Sequence, residues 1–263
     1  MFVVSIPLVE SFDSSITLKG YLAVPDDDSK DNRIPNTKTK RIQLVIFVHG
    51  SGSSRDSSRN QYLANELNKN GIGTFLFDLL TNEEEESDKK VENILQSQIP
   101  ALTLNKFNIA LLADRLIKAT EYILQIPQLQ EEKKELDIGY FGASTGVAAA
   151  LYACGKICQA NPTTNIKTIV SRGGRPDLFS FLISNQNVYT IENLNNIRNC
   201  PLLFIIGQKD KLVLDWTKNF IKNYKLVDNS KLEIVKNATH SFEELGTLEK
   251  VGDIAVRWFI QHL

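Results

Sequence analysis

The sequence has few cysteines, and their spacing excludes a disulfide framework. Its 263 residues include only Cys154, Cys158 and Cys200. An odd, low number without regular spacing is typical of reduced thiols in an intracellular protein. Cys154 and Cys158 share one face of a predicted helix. We interpret them as core residues, because no suitably spaced further ligand accompanies them for a metal site.

Neither an excess of charge nor a long hydrophobic run is present. Thirty basic residues face 31 acidic residues, for a formal net charge of −1, so the chain has no global attraction to nucleic acid or to acidic membranes. No segment approaches the ~18 apolar residues of a membrane-spanning helix. Residues 1–11 favour a strand over a signal peptide. We therefore expect a cytoplasmic monomer or homodimer that acts on a small molecule and binds neither nucleic acid nor a membrane.

Alternating strand and helix patterns indicate an α/β protein. Residues 2–9 and 16–24 predict an antiparallel pair at the sheet edge, and residues 26–41 a polar surface loop. Further strands are predicted at 42–48, 72–77, 136–141, 166–171, 202–206 and 232–236, and helices at 60–70, 105–126, 178–184, 213–224 and 247–262. The acidic run Glu83–Glu86 predicts a solvated loop. With no internal repeat or linker, residues 1–263 are expected to form a single domain, a mainly parallel sheet of about eight strands with helices on both faces.

The most informative segment is residues 136–150, LDIGYFGASTGVAAA. An apolar strand pattern ends at Gly142, and an alanine-rich helix pattern begins after Gly146. A strand, a sharp turn and a helix form a nucleophile elbow, whose central residue adopts a strained backbone. Glycines on either side avoid collisions across the turn. Ser144 is therefore the candidate nucleophile; the alternative is a glycine-rich turn with an idle serine.

A serine nucleophile needs a base and an orienting acid. On elbow-bearing α/β folds both follow the serine, the acid first. Of the two histidines after Ser144, His262 lies at the end of a predicted helix, whereas His240 follows a predicted strand. His240 is the candidate base. Asp210, just after the strand at 202–206, is the candidate acid, ahead of two alternatives, Asp177 and Asp215.

A loop of small residues, HGSGSS at 49–54, follows the first buried strand. Such a loop lets backbone amides approach a substrate closely. The amides of Thr145 and Ser51 are predicted to form an oxyanion hole, with Gly52 as the alternative to Ser51. His49 precedes the elbow and is predicted to brace this loop. The chemistry requires no metal and no organic cofactor.

Residues 171–177, SRGGRPD, also follow a predicted strand and therefore face the same crevice,. Arg172 and Arg175 are candidates for binding a substrate carboxylate or phosphate. Alternatively, they fix the loop through ion pairs. Arg55 and Arg59, near a predicted helix N-terminus, could add to an anion site or belong to the surface.

Together these motifs resemble the α/β-hydrolase family, and within it the dienelactone-hydrolase-like members. The resemblance covers nearly the whole chain and rests on HGSGSS at 49–54, GASTG at 142–146, GQKD at 207–210 and ATH at 238–240. It implies that Ser144, Asp210 and His240 are catalytic. Dienelactone hydrolase itself uses a cysteine, so Ser144 favours ordinary ester-like substrates. The stretch from Ser171 to Pro201 has room for one or two short helices, which excludes a large cap domain.

The expected function is that of a serine hydrolase for a small carboxylic ester, thioester or lactone. Ser144 would attack the carbonyl, His240 would transfer the proton, and water would resolve the acyl-enzyme. An acyltransferase that uses the same acyl-enzyme is one alternative. A non-catalytic binding protein on a hydrolase scaffold is another, because a fold does not fix a function.

Overall fold

The computed structural model describes residues 1–11, 14–25, 41–95, 104–130, 135–160, 166–185 and 189–263. Eight strands form one sheet. They are β1 (Phe2–Ser11), β2 (Ser14–Ala23), β3 (Arg41–Val48), β4 (Gly73–Phe77), β5 (Glu135–Ala143), β6 (Ile166–Arg172), β7 (Leu202–Gly207) and β8 (Ser230–Val235).

The strand order is β1-β2-β4-β3-β5-β6-β7-β8. β1 pairs antiparallel with β2, and β2 antiparallel with β4, whereas all pairings from β4 to β8 are parallel. The predicted fold, a mainly parallel sheet with an antiparallel N-terminal edge, is confirmed. The carboxyl ends of the parallel strands meet at one edge of the sheet, which is where ligands bind in folds of this kind.

Helices cover both faces of the sheet. They are α1 (Ser58–Lys69), α2 (Asn82–Leu95), α3 (Ile109–Leu124), α4 (Pro127–Gln130), α5 (Thr145–Ala160), α6 (Pro176–Asn185), α7 (Ile191–Asn199), α8 (Lys211–Asn223) and α9 (Thr247–His262). Leu63 of α1 and Phe259 of α9 pack in the hydrophobic core on one face. The core on the other face includes side chains of α3, α5, α6, α7 and α8. Because the sheet is covered on both sides, all residues of β4 and β7 and the last five residues of β3 are buried, and nearly all of these are apolar,.

The prediction that Glu83–Glu86 forms a solvated loop is wrong, because these residues lie in α2. A capping box starts this helix: the Thr81 amide donates to the Glu84 carboxylate at 2.8 Å, and the Glu84 amide donates to the Thr81 hydroxyl at 3.3 Å,. Glu84 also forms a bidentate ion pair with the fully buried Arg115 of α3. These long-range contacts fix α2 beside the carboxyl end of β4.

One other sequence expectation needs adjustment, and one falls almost entirely outside the described residues. The single helix predicted at 105–126 is divided, since a 3-10 turn at Asn105–Phe107 precedes α3, and the Asn108 side chain caps α3 by accepting from the Leu111 amide. Of the loop predicted at 26–41, residues 26–40 lie outside the described residues. Two short helices, α6 and α7, follow β6 before β7, as expected for a chain without a large cap. Among the described residues, no helix has the length and apolar character needed to cross a membrane.

Candidate active site

Ser144 occupies the turn between β5 and α5 in a left-handed backbone conformation, with φ at 48°. A non-glycine residue rarely adopts this conformation, which costs about 1–3 kcal/mol and is held only by its surroundings. The Ser144 amide donates to the Arg172 carbonyl at 3.3 Å, and the Arg175 amide donates to the Ser144 carbonyl at 3.0 Å. A Cβ atom on Gly146 would lie 2.1 Å from the Val48 carbonyl oxygen. The elbow predicted from the sequence is therefore present, clamped between β3 and the loop after β6.

His240 lies between Asp210 and Ser144. Its Nδ1 is 2.6 Å from Asp210 Oδ2, and its Nε2 is 3.4 Å from Ser144 Oγ. Asp210 directly precedes α8, but its side chain makes no capping hydrogen bond to that helix. Its carboxylate is directed to the imidazole instead. The contact to Ser144 is long for a hydrogen bond,.

The alternative acids lie elsewhere. Asp177 accepts two hydrogen bonds from the Arg175 guanidinium, at 2.8 and 2.7 Å. Asp215 is an exposed residue of α8. Of the three aspartates considered from the sequence, Asp210 is the one whose carboxylate contacts His240 in the described part of the chain. The three side chains selected from the strand order, Ser144, His240 and Asp210, therefore lie next to one another in the structure.

The predicted oxyanion donors meet at the N-terminus of α5. The Ser51 amide donates to the Thr145 hydroxyl at 2.9 Å, so it already has an acceptor. Gly52 is exposed, with φ at 70°, at a tight turn that the Ser53 amide closes by donating to the Gly50 carbonyl. The hydroxyl of Thr145 is buried. Sequence reasoning considered only the backbone of Thr145 and missed its side chain as a partner of the donor loop.

His49 is the first residue of the loop at 49–54, and its side chain is buried. Its Nε2 accepts from the Leu79 amide at 2.9 Å, so Nδ1 carries the proton that points to the Gly50 carbonyl, 3.0 Å away,. Burial lowers the pKa of His49 below its usual 6.5, against a smaller opposing effect of the Gly50 hydrogen bond. The neutral ring links the end of β4 to the loop, in agreement with the predicted bracing role.

Arg172 and Arg175 have different surroundings. Besides its pairing with Asp177, Arg175 lies over the Trp216 ring, with Cζ 4.2 Å from the centroid. Arg172 is only 8% exposed, and its guanidinium donates to Asn60 Oδ1 at 3.2 Å, while its Nε has no hydrogen-bond partner. No carboxylate among the described residues pairs with it. Burial, together with the nearby Arg59 charge, lowers the pKa of Arg172 to about 10.

The two outer arginines are paired with acids. Arg55 forms an ion pair with Asp78, and Arg59 forms one with Glu243 at 2.7 Å. Arg55 therefore links the segment after the donor loop to the residue that follows β4, and Arg59 links α1 to the segment before α9. No group of three or more His, Cys, Asp or Glu side chains in the described ranges is arranged to hold a metal ion.

Comparison with solved structures shows the family to which the chain is related. The crystal structure of a dienelactone hydrolase from Anabaena variabilis is 35% identical to the chain and superposes with a TM-score of 0.75, covering 100% of this chain and 97% of that one. The chain belongs to the dienelactone-hydrolase-like α/β-hydrolases. Another structure, Est1E from Butyrivibrio proteoclasticus, is 16% identical with a TM-score of 0.65, covering 99% of this chain and 98% of that one. It shares the fold.

The curated relatives of this dienelactone-hydrolase-like chain are longer proteins. Two Mycobacterium tuberculosis proteins, provisionally named phosphoribosyl transferases, are 38% identical over 248 residues, which is 94% of this chain and 44% of each relative. The chain thus spans less than half the length of the curated relatives it matches. No family model matches the chain.

Proposed function

We propose that the chain is a serine hydrolase that cleaves a small carboxylic ester, thioester or lactone through an acyl-enzyme on Ser144. The observation that carries the proposal is the position of His240, within reach of both the Asp210 carboxylate and the Ser144 hydroxyl. In this proposal His240 takes the proton of Ser144 as it attacks, then gives it to the leaving group. Asp210 holds the tautomer with the proton on Nδ1 and stabilises the imidazolium that forms.

The tetrahedral oxyanion requires donors fixed in advance. We assign the Thr145 amide as one, because it is the first helical residue after the elbow,. Ser51 or Gly52 supplies the second. The Ser51 amide must give up its hydrogen bond to the Thr145 hydroxyl before it can donate to the oxyanion. The Gly52 amide donates to no protein acceptor within the described segments. Loss of one such donor commonly costs ~3 kcal/mol of transition-state stabilisation.

Hydrolysis is favoured over acyl transfer by the exposure of the base. The His240 side chain is 45% exposed, so water reaches the group that must activate it in the second step. We also propose that residues 1–263 form one domain, because strands from both ends of the chain belong to the same sheet. We do not extend phosphoribosyl transfer to this chain, since its described residues form a hydrolase fold with a Ser-His-Asp arrangement.

Active-site labelling with a fluorophosphonate tests the proposal. Wild type is expected to be labelled and to hydrolyse short-chain p-nitrophenyl esters, and Ser144→Ala is expected to lose both properties while retaining its thermal unfolding transition. The absence of labelling in folded wild type would contradict the proposal and favour a non-catalytic binding protein. Product analysis with an added alcohol or amine separates hydrolysis from acyl transfer.

A further inference from the structure

A cavity of about 310 Å³ opens beside the predicted oxyanion donors. The loop at 49–54 and Thr145 form one wall. The floor consists of three buried leucines, Leu79, Leu80 and Leu112. Of the described residues, neither Ser144 nor His240 belongs to its lining, so the cavity adjoins the predicted donors and not the base.

The stereochemistry of acyl transfer indicates which part of a substrate the cavity would hold. In the tetrahedral intermediate, the former carbonyl carbon is bonded to Ser144 Oγ and carries the oxyanion, the leaving group and the acyl chain. The oxygen faces the donor amides, and the leaving group must lie near His240 Nε2 to receive its proton. The acyl chain takes the remaining direction, away from both the oxyanion and the leaving group, and therefore lies on the side of Ser144 away from His240.

We propose that this cavity receives the acyl chain of the substrate, whereas the leaving group lies on the exposed side of His240. The inference rests on the proposed serine hydrolase function. It predicts an enzyme that is selective for its acyl group and tolerant of its leaving group. We call the space the acyl cavity.

The acyl cavity fits a compact chain with a polar far end. At ~30 Å³ for each water-sized group, its volume holds about ten such groups. The first part of the chain would contact the leucine floor. At the outer wall Glu92 pairs with Lys106, but neither Glu85 nor Lys89 pairs with another described residue. These opposite charges on the cavity wall favour a hydrogen-bonding group over a long alkyl tail,.

The walls of the acyl cavity are fixed by buried polar contacts. The guanidinium of Arg115 binds the Glu84 carboxylate and the Leu79 carbonyl, which anchors α2 to α3 and to the end of β4. The buried carboxylate of Asp88 accepts from the amides of Asn105 and Lys106 at 2.9 Å each. A cavity with such walls is organised before the substrate binds, which reduces the entropic cost of binding.

The test compares acyl-chain and leaving-group profiles in two neighbouring variants. Leu112→Phe narrows the acyl cavity, and Leu111→Phe is the matched control, because Leu111 lies on α3 but outside the lining. With p-nitrophenyl esters, Leu112→Phe is expected to lose about tenfold or more of kcat/KM for butyrate and hexanoate relative to acetate. Leu111→Phe should keep the wild-type profile. A series of butyrate esters with alcohols of increasing size should show the same relative order in all three proteins.

The following outcomes would contradict the assignment of the acyl cavity. A Leu112→Phe chain-length profile parallel to wild type, or an altered leaving-group order, would overturn it. If Leu112→Phe lacks a cooperative unfolding transition, Leu80→Ala replaces it and is expected to shift the preference toward longer chains; an unchanged preference would overturn the proposal. Fluorophosphonate labelling of Ser144 keeps the two proposals apart, because failure of labelling removes the hydrolase function itself, whereas labelling with unchanged profiles removes the acyl cavity alone.

Discussion

The backbone amide of Ser51 donates to the side-chain hydroxyl of Thr145 at 2.9 Å. One predicted oxyanion donor is therefore occupied by a protein group, and a donor that must change partner is less well organised for the transition state. The Thr145 side chain that accepts this hydrogen bond is buried. Because the Thr145 hydroxyl occupies this amide, we expect that removing the hydroxyl raises esterase activity.

Thr145→Val removes the acceptor while keeping the shape of the side chain. A neutral hydrogen bond contributes about 1 kcal/mol, so we expect kcat/KM for p-nitrophenyl acetate to rise by about fivefold. Thr145→Ser retains the hydroxyl and should behave as wild type. A fall in kcat for the valine variant, restored by serine, would show instead that the hydroxyl positions the donor loop.

Asp210→Asn is expected to lower kcat by about three to four orders of magnitude, because an amide favours the wrong imidazole tautomer. The control is Asp177→Asn, which alters the carboxylate bound to Arg175 and not to His240. It should retain most of its activity toward p-nitrophenyl acetate. Equal losses in the two variants would contradict the assignment of Asp210 as the orienting acid.

Two buried arginines differ in whether a carboxylate accompanies them. Arg115 has a bidentate partner in Glu84, whereas the Arg172 guanidinium makes one hydrogen bond to the described residues, with Asn60. Arg115→Met leaves Glu84 unpaired, and we expect it to lower the free energy of unfolding by about 3–5 kcal/mol. Arg172→Met removes an uncompensated buried charge, and we expect it to raise that free energy by about 1–3 kcal/mol at pH 7.

Urea unfolding of the two methionine variants measures both changes. Kinetics of Arg172→Met then address its role, because a more stable but less active variant would indicate that the buried charge is retained for function. A loss of stability in Arg172→Met comparable to that in Arg115→Met would contradict the analysis of Arg172 as uncompensated.

The elements that were predictable from the sequence have local causes. Ser144 could be located because its turn needs small neighbours within two residues, and Asp210 and His240 because each lies a few residues beyond the carboxyl end of a strand, β7 or β8. The helix at Asn82–Leu95 was missed, although the Thr81–Glu84 spacing carries a capping signal,. The partner of Glu84 is 31 residues away, and no local pattern indicates it. The leucine floor of the acyl cavity likewise depends on how separate elements pack.

Stability should depend on pH through His49. Its pKa is lowered by burial, so below the usual value of 6.5 the unfolded chain takes up a proton that the folded chain does not,. The free energy of unfolding should therefore fall as the pH decreases from 7 to 5, by at most ~1.4 kcal/mol per pH unit from this residue. Above pH 7 the residue contributes no pH dependence.

His49→Gln is expected to reduce this acid sensitivity, as measured by urea unfolding at pH 7 and pH 5. His262 offers a comparison, since burial also lowers its pKa but it is a partly exposed residue of α9. His262→Gln should reduce the sensitivity less. An identical pH dependence in wild type and His49→Gln would show that other groups control it.

The contact between Gly146 and β3 has a consequence for how this protein can evolve. The backbone of α5 approaches the Val48 carbonyl so closely that even a methyl group on Gly146 would collide with it. Any side chain there would push α5 away from the sheet and carry the Thr145 amide with it. A substitution at Gly146 would therefore disturb both the core packing and the alignment of the proposed reacting groups. Substitutions in α2 and in the loops can change substrate preference while leaving this contact intact. At Gly146, by contrast, even the smallest side chain would collide with β3.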